Sequence, residues 1–177
     1  MVYVLLVDGF EEIEAIEPID IMRRAGIDVK TVGVNNMTVI GSHGIRISAD
    51  IPISDVNIDE MDALVLPGGP GHELLDASEA VHSLIDTANS SEKYIASICA
   101  APSIVGKKGL LKGKKATCFP GFEDNLYGSI VTSKKVVHDG KFITAKGAGA
   151  AAEFGFELVK ILCNIEVSEN LRKAMQY

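Results

Sequence analysis

The stretch Tyr94-Ile95-Ala96-Ser97-Ile98-Cys99-Ala100-Ala101-Pro102 decides how this chain folds. Residues 94–98 have the length and the aliphatic character of a buried strand, and Pro102 suits the first turn of a helix, where its missing N–H is not needed. A strand that passes directly into a helix is half of a βαβ unit. Further short aliphatic or β-branched runs occur at 2–7, 27–34 and 63–66, with a weaker one at 115–117. Helical patterns lie between them. One covers 11–24 and stops at Ala25-Gly26, where the glycine suits the residue after a helix end. A second covers 78–88, with Val81, Leu84, Ile85 and Ala88 on one face, and a third follows Cys99 through Val105 and ends within 106–109. A fourth carries Phe154, Leu158, Ile161 and Leu162 at helical spacing, and a short C-terminal helix is expected from Ser168.

Strands alternating with helices imply right-handed crossovers and a mainly parallel sheet covered by helices on both faces, a doubly wound α/β domain. Two stretches, 38–50 and 135–145, break the alternation, the second with Asp139-Gly140 between apolar runs, and each is expected to add a β-hairpin to the sheet. The 177 residues fit one domain spanning 1–177. At 47% hydrophobic and 23% charged residues, the chain can build a sizeable core. No apolar run approaches the ~18 residues of a membrane span, and residues 2–7 begin without a basic region or cleavage site, so no membrane partner and a cytoplasmic location are expected. With 17 basic against 24 acidic residues and a net charge of -7, nucleic acid is not an expected partner.

The three cysteines, Cys99, Cys118 and Cys163, form neither a CxxC pair nor a cluster with histidine, so neither a disulfide framework nor a metal site is expected. In such sheets ligands bind beyond the carboxyl ends of the strands. Cys99 stands at one of those ends, where the chain must turn sharply and where the N-terminal end of the following helix, carrying roughly half a positive charge, favours a thiolate, the arrangement of a nucleophile elbow with sulfur in place of oxygen. A buried packing role is the alternative for any free cysteine, and it is the one expected for Cys118 and Cys163. Gly68-Gly69, after Leu66-Pro67 at the neighbouring strand end, lets backbone amides approach a ligand without side chains intervening, or makes a plain turn. Glu14 shares its helix face with Pro18, Ile21 and Ala25, and a carboxyl group so placed tends to keep its proton. Of the four histidines only His72 falls near a strand end; His43, His82 and His138 are expected at the surface.

Taken together, Glu11-Glu12-Ile13-Glu14, Met22-Arg23-Arg24-Ala25-Gly26, Leu66-Pro67-Gly68-Gly69, Ile98-Cys99-Ala100-Ala101-Pro102 and the late Gly147-Ala148-Gly149 turn resemble the ThiJ/PfpI superfamily, in its DJ-one branch. The resemblance implies a flavodoxin-like sheet and a homodimer. It implies that Cys99 is the nucleophilic, oxidation-prone cysteine, that Glu14 is its protonated partner, and that the amides of Gly69 and Ala100, with Gly68 beside them, form an anion or oxyanion pocket. The chain departs from the pattern at Phe119, where glyoxalase-active relatives carry histidine, and at Ala100, where the peptidase branch does. Phe119 is then expected to wall the pocket with an apolar ring. Arg24 matches a residue that helps bind an anion across the dimer, although its companion is not evident around Ala49.

The function expected from these residues is a cofactor-independent enzyme acting on a small carbonyl compound, of the glyoxalase or deglycase type, through Cys99 and Glu14. The alternative is a non-enzymatic redox sensor or stress-response chaperone in which Cys99 is oxidised to sulfinate. A hydrolase using His72 as base is a third. Both the enzymatic and the redox-sensing readings call for a Cys99 thiol pKa below the ordinary ~8.5.

Overall fold

The computed structural model describes residues 1–177. In chain order the first half contains β1 (Val2–Leu6), α1 (Glu12–Arg24), β2 (Val29–Gly33), β3 (Thr38–Ile40), β4 (Arg46–Ser48), β5 (Ile51–Pro52), β6 (Ala63–Leu66), α2 (His72–Asp76) and α3 (Glu79–Ser90). The second half contains β7 (Tyr94–Ile98), α4 (Pro102–Lys107), β8 (Lys115–Ala116), β9 (Ile130–Val131), β10 (Val136–Asp139), β11 (Phe142–Ala145), α5 (Ala151–Leu162) and α6 (Ile165–Ala174).

Seven strands form the central sheet in the order β10-β11-β7-β6-β1-β2-β5, all parallel except β10, which runs antiparallel to β11. This is the flavodoxin-like, mostly parallel arrangement expected from the sequence. Alternate residues of β1 and the Val7 that follows it explain why this run is continuously apolar: Val2, Val4 and Leu6 enter one core with Ile21, Met22, Phe154 and Leu158, while Tyr3, Leu5 and Val7 enter another with Val81, Ile85, Ile104 and Val105. The chain leaves β1 for β2 on one side and later returns to place β6 on the other, so connections diverge at the carboxyl ends of β1 and β6. The ligand crevice of such a sheet opens at that divergence.

Several expectations are corrected. The hairpin in 38–50 exists, but β3 and β4 pair as a separate two-stranded sheet, and only the following β5 joins the central one. Its tip is drawn toward α1 instead, because the buried Glu12 carboxylate accepts the amides of His43 at 2.8 Å and Ile45 at 3.3 Å and the Ser42 hydroxyl at 3.2 Å. Although burial alone would raise its pKa, the bonds from His43 and Ile45 hold Glu12 at about 2. The segment 115–117 pairs with β9 outside the main sheet, since β11 already occupies the free edge of β7. The C-terminal helix starts at Ile165 and not at Ser168, because Asn164 caps it by accepting the Val167 amide at 2.9 Å.

Helices α1 and α5 pack together at Gly155, where a β-carbon would lie 3.0 Å from Ile21 Cδ1 and 3.1 Å from Pro18 Cα. The approach fixes α1, and with it Glu14, over the sheet. Gly155→Val is expected to lower stability by about 1–3 kcal/mol through overpacking of this contact, measured as the shift of the urea unfolding midpoint at constant slope.

Candidate active site

Cys99 follows β7 with φ +66°, a left-handed backbone unusual for a residue with a side chain. Its amide donates to Ala145 at 2.9 Å and its carbonyl accepts from Phe119 at 2.8 Å, so the flanking strand and loop hold the turn from both sides. A left-handed residue cannot continue a right-handed helix. The helix that follows has Pro102 in its first turn, as expected, but at six residues it adds little dipole of its own. The backbone supplies the local field instead: the N–H groups of Gly69 and Ala100 lie close enough to the Cys99 sulfur to favour its thiolate.

Glu14 arrives from the first turn of α1 and is almost wholly buried, at 1% exposure. Its Oε2 accepts the Gly68 amide at 3.1 Å, and the Ala148 amide and the Cys99 thiol lie close enough to the carboxyl group to favour its charged form. Helix α1 runs on through Pro18, which has no amide to offer the Glu14 carbonyl. Gly68 must be glycine. A β-carbon there would stand 2.5 Å from Cys99 Cβ and 2.6 Å from Glu14 Oε2, and one on Gly69, at φ +84°, would stand 2.5 Å from the Glu11 nitrogen.

The cleft above these groups encloses about 380 Å³ and is lined by Glu11, Glu14, Gly69, Pro70, His72, Cys99, Ala100, Phe119, Phe122 and Ala148. It thus gathers Cys99, Glu14, Gly69, Ala100, Phe119 and His72, with Gly68 behind the first two. Phe119 is 47% exposed and forms a wall of the cleft. His72 is tethered, with Nδ1 2.9 Å from the Gly69 carbonyl oxygen and its ring edge-on to Phe122. Arg24 is not brought to the cleft: it lies at the far end of α1 and pairs with Asp20 at 2.6 Å. Cys118 is buried as expected, but Cys163 is exposed because α5 ends at Leu162, one residue before it. Ala148 and Glu11 were not singled out by the sequence; the Gly147-Ala148-Gly149 turn was the only sign that an amide would approach Glu14.

Burial pushes the Glu14 carboxyl up to about 7. Burial, reinforced by the nearby Glu14 charge, pushes the Cys99 thiol up to about 12, against the depressed value expected from the sequence. The pair therefore gives up one proton near neutrality and resists giving up the second. The remaining negative charge has two seats. On sulfur it meets the Gly69 and Ala100 amides and can take a further hydrogen bond from a protonated Glu14.

Donor atoms of Glu11, Glu12 and His43 also lie within 4.8 Å of one another nearby, but Glu12 is already engaged by the hairpin amides that strap it.

The model of the DJ-1/PfpI family matches residues 1–161. The chain belongs to the DJ-1/PfpI family. Protein dj-1beta of Drosophila melanogaster is 36% identical over 97% of this chain and 94% of its own length. A protein named deglycase from Pyrococcus horikoshii is 32% identical over 89% of this chain and 96% of its own. Among solved structures, a DJ-1 superfamily protein of Salmonella typhimurium superposes with a TM-score of 0.93 at 34% identity, covering 99% of this chain and 97% of that one. Oxidised DJ-1 of Toxoplasma gondii gives 0.93 at 33% identity, with the same coverage. No helix of this DJ-1/PfpI member is long and apolar enough to cross a membrane.

A carboxyl group whose pKa is raised by folding binds its proton more tightly in the folded state, so it favours folding below its unfolded pKa and ceases to do so as pH rises through the folded value. Wild-type stability relative to Glu14→Gln is accordingly expected to fall by about 3 kcal/mol between pH 4.5 and pH 7 and to level off above, as read by urea titrations at a series of pH values.

Proposed function

We propose that the protein is a cysteine-dependent, cofactor-independent enzyme acting on reactive aldehydes, of the glyoxalase or deglycase type, with methylglyoxal as a representative substrate. The observation that carries this reading is the placement of Cys99, a buried Glu14 and two sulfur-directed amides in one small cleft. Relatives named deglycase support it.

The steps balance without an external oxidant. The Cys99 thiolate adds to the aldehyde carbon, and the amides of Gly69 and Ala100 stabilise the oxyanion formed. Glu14, still protonated, gives that oxygen its proton and becomes a carboxylate. The carboxylate then takes the proton from the former aldehyde carbon, and an enediolate results. Return of that proton to the neighbouring carbon, with passage of the hydroxyl proton from the first oxygen to the second, yields a thioester of a 2-hydroxy acid, and water releases lactate and the thiol. The aldehyde carbon is oxidised as the adjacent ketone carbon is reduced. One residue serves as acid and then as base, so no histidine is required at the position of Phe119. Lactate formation from methylglyoxal is expected to fall at least about a hundredfold in Cys99→Ala and about as far in Glu14→Gln. Wild-type activity no greater than that of Cys99→Ala removes the reading.

A redox-sensing or chaperone role of the same cysteine is favoured by one observation: the only imidazole in the cleft, His72, is tied to Gly69. Peroxide supplies the oxidant, Cys99 passes through sulfenic to sulfinic acid, and the sulfinate oxygens take the hydrogen bonds of Glu14 and the two amides. This role requires Cys99 to gain oxygen before the exposed Cys163 in peptide mass spectrometry after mild peroxide.

The protein is further proposed to act as a homodimer. Ile13, Ile16 and Ile45 are exposed and border, with Met175 and Tyr177, a groove of about 600 Å³ beside α1. A second copy seated there covers an apolar face on the helix that carries Glu14. Ile16→Glu is expected to convert the dimer to monomer in light scattering; a wild-type monomer, or a dimer in the variant, contradicts this interface.

A further inference from the structure

The Cys99 cleft adjoins a second hollow of about 370 Å³, with which it shares Phe119 and Ala148. The floor of this hollow, Gly147 to Ala150, carries nothing larger than a methyl group, and a β-carbon on Gly149 would meet only open space. Two positive charges line it, on Lys135 and Lys146. Lys135 is exposed and has a carboxylate partner, Glu153 at 3.3 Å. Lys146 is half-buried and has none within ion-pair distance. Glu123, in a further hollow that Lys146 also borders, is engaged by the Gly121 amide at 2.6 Å. Glu11 and Glu14 line the Cys99 cleft, Glu14 next to the shared floor, where a β-carbon on Gly147 would lie 3.6 Å from its Oε1.

The combined cleft is therefore polarised, acidic beside the nucleophile and basic beyond Phe119, in a protein of net charge -7. Such a field orients a ligand whose negative group lies at one end. A neutral three-carbon aldehyde occupies the Cys99 end alone. We propose that the second hollow is a substrate subsite selecting 2-oxoaldehydes that carry a carboxylate, with Lys146 as the anion contact and Phe119 as the wall along which the connecting carbons lie. One free ammonium matches one negative charge, which is why a carboxylate and not a phosphate dianion is assigned. The inference rests on the aldehyde-directed reading above and names the substrate class of that site. The reaction is unchanged: 4,5-dioxopentanoate and water give 2-hydroxyglutarate, the aldehyde carbon being oxidised and the ketone carbon reduced.

The test compares kcat/KM for 4,5-dioxopentanoate with that for its neutral methyl ester. Wild type is expected to prefer the acid, and Lys146→Met to reduce the acid-to-ester ratio about fivefold, the upper end for a partly exposed ion contact. A second readout needs no turnover. The rates at which 2-sulfonatoethyl and 2-(trimethylammonio)ethyl methanethiosulfonate modify Cys99, each normalised to a free thiol and located by peptide mass spectrometry, report the charge preference of the cleft. The anionic reagent is expected to be favoured in wild type, with the preference diminished in Lys146→Met. If neither aldehyde is turned over above the Cys99→Ala level, the catalytic reading fails and the reagent ratio alone decides whether the anion subsite exists. A ratio that Lys146→Met leaves unchanged overturns the subsite in either case.

Discussion

A β-carbon on Gly68 would stand 2.5 Å from that of Cys99 and 2.6 Å from the Glu14 carboxylate, and this close approach of three chain segments is the constraint on which the rest of the site depends. Only a bare backbone lets the loop after β6 donate an amide to Glu14 while that of the neighbouring Gly69 comes close to sulfur. The parallel sheet makes the meeting feasible, since β1, β6 and β7 are adjacent and all finish at the same edge. The left-handed turn at Cys99 then carries the thiol off the end of the sheet, and the packing of α1 on α5 holds the carboxyl group against it.

Electrostatics gives this geometry its chemical character. A carboxyl group and a thiol buried side by side cannot both ionise cheaply, because each charge raises the cost of the other in a poorly solvated space. One shared negative charge is the economical state near neutrality. When that charge sits on sulfur it faces the amides of Gly69 and Ala100, and Glu14 then has a proton to give. Aldehyde addition and peroxide oxidation both begin from a thiolate, so the same pair serves either reading of the function. Which follows is a matter of what enters the cleft.

Much of this was legible in the residues. Continuous apolar runs alternating with helical periodicity announced a sheet buried on both faces, and Glu14 betrayed itself by sharing a helix face with Pro18 and Ile21. The strand-to-helix junction picked Cys99 from three cysteines. Other features depend on contacts between distant segments, which spacing does not encode. The Ala148 amide reaches Glu14 only because α5 packs on α1, and the hairpin of β3 and β4 leaves the sheet because a buried Glu12 binds its tip. The raised thiol pKa likewise follows from burial that the local sequence could not show. Arg24 lies on the same helix as Glu14, yet is carried to the other end of it. Lys146 follows a strand end as Cys99 does, but its lack of a carboxylate partner is a property of the folded surface alone.

The most direct test is to follow both members of the pair in one pH titration, using the ultraviolet absorbance of the Cys99 thiolate in a variant lacking the other two cysteines and the infrared carbonyl band of isotope-labelled Glu14. The Glu14 carboxylic acid band is predicted to persist through pH 6 and to give way in a step centred at about 7, where the pair releases its one proton, with the accompanying thiolate absorbance reporting the share of the charge that sulfur holds. Loss of the acid band near the ordinary carboxylate value of 4.5 would show that the cleft does not hold the proton of the pair to neutrality and would contradict the account.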